Sequence, residues 1–194
     1  MPLILDGTTG IVANNIADFA ISTAKLANSA ITTAKIGFAG AALQVTSNTI
    51  YSTQTMSITT SGTLVASGFT LPITPTASTS KILIMYTSTI GSTSSNAGVG
   101  GNVQMYRKIG GGSYGFIGGS YNNYWNTTAT YIAYQQLSFT ILYIDSPATT
   151  SQVIYQPYFN LNCGTAGGLG VLGGRNNDGL SYSGSHMIAM EIAA

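Results

Sequence analysis

Between residues 11 and 36, large aliphatic residues recur at every fifth position: Ile11, Ile16, Ile21, Leu26, Ile31 and Ile36. Small or polar residues fill the intervals. Residues 17–26 and 27–36 are two versions of one phrase, Ala-Asp-Phe-Ala-Ile-Ser-Thr-Ala-Lys-Leu and Ala-Asn-Ser-Ala-Ile-Thr-Thr-Ala-Lys-Ile. A spacing of five rotates each aliphatic by about 140° on an α-helix, so no single face collects them. On a flat strand the same odd spacing sends successive aliphatics to opposite sides. One chain alone therefore has no simple way to bury this row, whereas neighbouring copies can bury it together. The pattern predicts a stalk built from several chains.

From residue 43 onward the period changes to two. Residues 43–58 are rich in Thr, Val, Ile and Tyr with no helical stripe, and 64–73 form a β-like run broken by Gly68 and Pro72. The continuous apolar run at 81–86 predicts a strand buried on both faces. Residues 103–109 alternate, with Arg107 sharing the parity of Val103, Met105 and Ile109. In 131–144, Leu137, Phe139, Ile141 and Tyr143 share a face, and the run ends at the turn signal Asp145-Ser-Pro147. In 153–161, Val153, Tyr155, Phe159 and Leu161 share a face, and Pro157 predicts an edge or a bulge. In the last run, 181–192, Ile188, Met190 and Ile192 occupy one face and Met187, Ala189 and Glu191 the other. Both faces are largely apolar. This predicts a central strand covered by the core on one side and by another subunit on the other. Glycine-rich stretches at 91–101, 110–112, 118–119 and 164–174 read as connecting loops. The expected fold class is all-β, a jelly-roll sandwich knob over residues 43–194, preceded by an extended, intertwined stalk.

Composition narrows the function. Hydrophobic residues make up 44% of the 194 positions, enough for a core, while charged residues reach 6%, against about 25% in typical soluble domains. Solubility rests on Ser, Thr, Asn, Gln and Gly, a surface typical of extracellular and virion β-proteins. The six cations, Lys25, Lys35, Lys81, Arg107, Lys108 and Arg175, are scattered. That excludes an electrostatic footprint for nucleic acid. No apolar run is long enough to cross a bilayer, so no membrane insertion is expected, and the first thirty residues show no secretory signal. The single Cys163 cannot form an intrachain disulfide and reads as a small packed residue.

The opening Leu-Ile-Leu-Asp-Gly-Thr-Thr-Gly, the two Lys-terminated repeats and the ending Met-Ile-Ala-Met-Glu-Ile-Ala resemble short tail-fibre proteins of tailed bacteriophages. Residues 103–107 and 143–147 are similar to strand pieces of their distal domain, which is like the C1q/TNF jelly roll. The resemblance implies a homotrimer located in the virion and made in the host cytoplasm. It also implies a docking segment at 1–15 that binds other virion proteins, a repeat-bearing stalk at 16–42, and a knob at 43–194 facing the host. Head fibres and capsid-decorating proteins share such modules, so a structural role without host recognition is the alternative.

Catalysis has little to work with. The acidic residues are Asp6, Asp18, Asp145, Asp178 and Glu191, and no pair is placed as a glycosidase requires. His186 lacks a nucleophile motif, and no metal-ligand or cofactor spacing occurs. No enzyme, metal or cofactor is expected. Arg107, pointing with the apolar face, requires a carboxylate or carbonyl partner; a structural pairing with Glu191 or Asp145, within the chain or across a subunit boundary, is expected, and ligand binding is the alternative. The candidate ligand site is a glycine-led loop in which Tyr121, Tyr124 and Trp125 interleave with Asn122, Asn123 and Asn126. Sugars present apolar C–H faces and hydroxyls, which aromatic rings and amides complement; covering the core edge or a subunit interface is the other use of these rings. A second polar loop offers Arg175, Asn177 and Asp178 to a host surface glycan, and turn chemistry explains it equally well.

Overall fold

The computed structural model describes residues 39–52, 54–58, 62–92, 99–125, 136–162, 168–172 and 184–194. The repeat lies outside them. Phe38–Ala194 forms one compact unit. Among the described residues there is no helix, and the strands are β1 (Ala42–Ile50), β2 (Gln54–Ile58), β3 (Val65–Ala66), β4 (Leu71–Ile73), β5 (Lys81–Ser92), β6 (Val99–Ile109), β7 (Gly115–Trp125), β8 (Gln136–Asp145), β9 (Val153–Asn162), β10 (Gly168–Leu172) and β11 (Ser185–Ile192). They make two antiparallel sheets. Sheet A runs β1-β11-β5-β10-β2, with β8 on the other side of β5; sheet B runs β3-β9-β6-β7, with β4 also on β9. The result is a jelly-roll-like β-sandwich.

Period-two alternation fixes the core. Ile82, Ile84 and Tyr86 of β5, Phe139 and Ile141 of β8, and Met187 and Ala189 of β11 point inward from sheet A. Val103 and Met105 of β6, Val153, Tyr155 and Phe159 of β9, and Leu71 and Ile73 of β4 meet them from sheet B. Tyr86 lies between Phe69 and Phe139, with ring centroids 5.9 and 5.5 Å away. The chain enters and leaves at one place. Gly40 N donates to Ala193 O, and Ala193 N donates to Ala41 O, both at 2.8 Å.

Four expectations need correction. The run at 81–86 is covered on one face only: Ile82, Ile84 and Tyr86 are fully buried, whereas Met85 is 39% exposed. The described residues supply no layer over its second face. Gly118–Gly119 is a bulge inside β7 rather than a loop, because the β6–β7 register slips opposite Gln104 and Tyr106 and Gly118 takes φ +114°. The stretch 164–174 contains β10, which pairs with both β2 and β5. Backbone pairing there uses Gly168 and Gly170 as ladder positions, which a side-chain pattern does not signal. Finally, Pro157 sits on an interior strand, buried between β6 on one side and β3 and β4 on the other. Its carbonyl accepts from Ser67 N at 3.0 Å, so its donorless nitrogen, on the same side of the strand, faces the break between β3 and β4.

Candidate assembly interface

The outer face of sheet A carries the largest concentration of exposed apolar side chains among the described residues. Strand registers line them up in rows across β1, β11, β5 and β8. One row is Val45, Met190, Leu83 and Ile144; the next is Ser47, Ile188, Met85 and Leu142. Val45 is 56% exposed, Ile144 56%, Leu142 64% and Met85 39%, with Leu83, Ile188 and Met190 half-buried between them. A third row is polar: Thr49, His186, Thr87 and Thr140. It is internally bonded, with Thr49 Oγ1 3.2 Å from His186 Nδ1 and Thr87 Oγ1 3.1 Å from Thr140 Oγ1. Tyr51 meets the His186 ring edge-on at 5.9 Å.

Alternation explains the arrangement. Strands β5, β8 and β11 each put one set of apolar residues into the core and a second apolar set outside, and β1 adds Val45 at the edge. The four most exposed side chains alone present roughly 400 Å² of apolar surface, the range in which a monomer's largest patch is commonly functional. A contact burying that area would gain roughly 10 kcal/mol gross. Losses of translational and rotational freedom, about 4–15 kcal/mol, offset much of it. The sheet face is therefore suited to an association that needs help from a second element.

Polar clasps lie on the inner side of this sheet. Asp145, at the end of β8, accepts from Arg107 of β6 and, at 2.8 Å, from the Tyr155 hydroxyl of β9. One sheet A carboxylate is thus tied to two strands of sheet B. This answers the partner question for Arg107: Asp145, within the chain. Burial, then the adjacent carboxylate, pushes the Tyr155 phenol far above its ordinary value, so it remains a donor. Glu191, fully buried on β11, accepts from Thr76 N at 2.7 Å, Thr76 Oγ1 at 2.8 Å and Gln44 Nε2 at 2.5 Å. Burial alone would raise its pKa, but the polar groups of Ser80, Gln44 and Thr76 around it outweigh that and hold the carboxyl below the usual range.

The sequence-derived ligand residues are not one loop cluster. Tyr121, Asn122, Asn123, Tyr124 and Trp125 are consecutive positions of β7, an edge strand of sheet B, laddered to Val103, Asn102, Gly101, Gly100 and Val99. The bulge at Gly118, which suggested a loop, lies before them in the same strand. Asn126, Arg175, Asn177 and Asp178 lie outside the described residues, as does Cys163. The apolar rows were half legible. Their β11 members were identified by parity, but Leu142 and Ile144, which alternate with Ile141 and Tyr143, and Val45 were not singled out.

No family model and no curated protein matches the chain. Among solved structures it is similar to that of the infectious bursal disease virus Gx strain, with 14% identity, a TM-score of 0.41, and coverage of 78% of this chain and 38% of that one. It is likewise similar to the infectious bursal disease virus VP2 subviral particle (14% identity, TM-score 0.41, 78% and 38% covered) and to the Gt strain (14%, TM-score 0.43, 78% and 38%). The chain thus spans well under half the length of those chains. At these identities and scores the likeness carries nothing about function.

Proposed function

We propose that the protein is a trimeric virion fibre, a bacteriophage tail fibre, that attaches the particle to the host cell surface through its β-sandwich knob. The carrying observation is the pair of apolar rows on the outer face of sheet A. They are supported by a repeat at residues 17–36 that calls for partner chains of its own. Both features ask for copies of the same chain. In sequence, the repeat ends at Ile36 and β1, which carries Val45 of the patch, opens at Ala42. Closed threefold symmetry lets three such faces turn toward one axis and leaves no face open to further growth. Weak glycan binding at each knob then gains avidity from three sites held together.

The first test is mass in solution: light scattering should give three times the 20.0 kDa of one chain, and a stable monomer would overturn the reading. The second is competition. Purified protein incubated with host cells should block adsorption of the virus. Failure to block, with density for the protein on the capsid lattice, would instead support a head-fibre or decorating role.

A further inference from the structure

The outer face of sheet B differs from that of sheet A in chemistry. Opposite the core-facing parity of β6 and β9 stand Gln104, Tyr106 and Lys108, and Tyr158. Tyr106 and Tyr158 pack with centroids 4.2 Å apart and planes 33° from parallel. Tyr106 also meets Phe116 of β7 at 5.8 Å, and Tyr158 meets Tyr114 at 5.9 Å. Four rings from three neighbouring segments thus form a contiguous, mutually tilted aromatic shelf in which Phe116 is 50% exposed and the three tyrosines are half-buried. Gln104 Oε1 accepts from the Tyr106 hydroxyl at 3.4 Å and leaves its amide N–H groups beside the rings. Where the shelf ends, Lys108 and Phe116 line a depression of about 310 Å³ together with Ser113 and Gly115.

The Lys108 ammonium lies 5.1 Å from the centroid of the Tyr114 ring. The described acidic residues, Asp145 and Glu191, are both buried and engaged elsewhere, Asp145 with Arg107 and Glu191 with Thr76. Among the described residues, Lys108 therefore stands as a cation beside an aromatic ring with no acidic side chain paired to it. Exposed ring faces complement the C–H faces of sugars. An uncompensated ammonium at the shelf's edge complements a carboxylate. The shelf also lies on the opposite side of the sandwich from the apolar rows, so self-association through sheet A leaves it open.

We infer that Tyr106, Tyr114, Phe116, Tyr158 and Lys108 form a binding site for a carboxylate-bearing surface polysaccharide, with the rings stacking on sugar faces and Lys108 pairing with a uronate or sialate group. The inference rests on reading the knob as the host-facing end of the protein.

The test is saturation-transfer NMR on the full chain with tetragalacturonate, its methyl ester and a sialic acid trimer. Transfer to an acidic oligosaccharide, with about tenfold weaker binding of the ester, is expected. Lys108→Ala should abolish that acid-over-ester preference while leaving the melting temperature unchanged, and Phe116→Ser should weaken acid and ester alike. No transfer from either acidic oligosaccharide, or an unchanged preference in Lys108→Ala, overturns the inference. Adsorption competition separates it from the attachment reading. If wild type and Lys108→Ala block equally, the shelf is not the site and attachment stands; if neither blocks while the acid preference is present, attachment itself falls.

Discussion

Replacing Leu142 by Asp tests whether the outer face of sheet A is an interface. Leu142 is 64% exposed in the single chain and lies in line with Met85, Ile188 and Ser47. An exposed strand position of this kind tolerates substitution within about 0.5 kcal/mol, so the fold of each subunit should survive. In an assembled protein the cost is different. Losing the burial of the leucine forfeits roughly 1.5–2 kcal/mol per contact, and forcing an unpaired carboxylate into a dry patch adds several more, unless it titrates or drags in water. A conservative total of about 4 kcal/mol is nearly a thousandfold in the association constant, repeated at every contact of a closed ring. Light scattering at micromolar concentration should show the wild type at three chain masses and Leu142→Asp at or near one, with an unchanged far-ultraviolet circular dichroism spectrum. A variant that keeps the wild-type mass would refute the assignment of this face, and Leu142→Ala should fall between.

Asp145→Ala leaves both Arg107 and the Tyr155 hydroxyl without their acceptor. A loss of about 3 kcal/mol is expected, which for a domain of this size lowers the melting temperature by roughly 6–12 °C; Arg107→Met, which retains the Tyr155 bond, should lose less. Because the Glu191 carboxyl is held below its ordinary value, the stability it contributes is present above the usual carboxylate range and disappears as pH falls through its depressed native value. Melting curves from pH 7 to 3 should show this fall, and Glu191→Gln should flatten it. At Gly118 a Cβ would lie 2.9 Å from the Tyr143 hydroxyl on a backbone of φ +114°. Gly118→Ala should cost about 1–3 kcal/mol in denaturant unfolding, and an unaltered midpoint would refute the bulge as a strained position.

The inward half of the fold was readable because burial leaves a period-two signature. Parity groups Phe139 with Ile141, and Val153 with Tyr155 and Phe159, each set on one face of its strand, and all five are buried. Parity also showed that Arg107 needed a carboxylate or carbonyl partner, but two acidic candidates fitted, and only the meeting of β6 with the end of β8 selects Asp145. Two of the misread stretches share one cause: backbone hydrogen bonds do not depend on side chains. Strand β10 with its glycines, and the continuation of β7 through the Gly118 bulge into Tyr121–Trp125, are held by ladders that leave no alternating pattern. The aromatic shelf was missed for another reason. Tyr106, Tyr114, Phe116 and Tyr158 are dispersed over three segments, and only the β6–β7 and β6–β9 registers bring them together. The same parity that placed Arg107 inward already placed Tyr106 and Lys108 outward.

The pairing of Gly40 and Ala41 with Ala193 has a mechanical consequence. A pull arriving through the chain before residue 40 reaches the sandwich at the start of β1, which is laddered antiparallel to β11 from Ala42 through Ile50. If the far side of the knob is held, that load runs along the strand, so the rungs are strained together in shear rather than opened one after another. Single-molecule stretching from residue 39 against an anchor at residue 184, where β11 begins opposite Ile50, should thus meet a higher rupture force than stretching the same knob between residues 39 and 194, where the two ends part as a zipper.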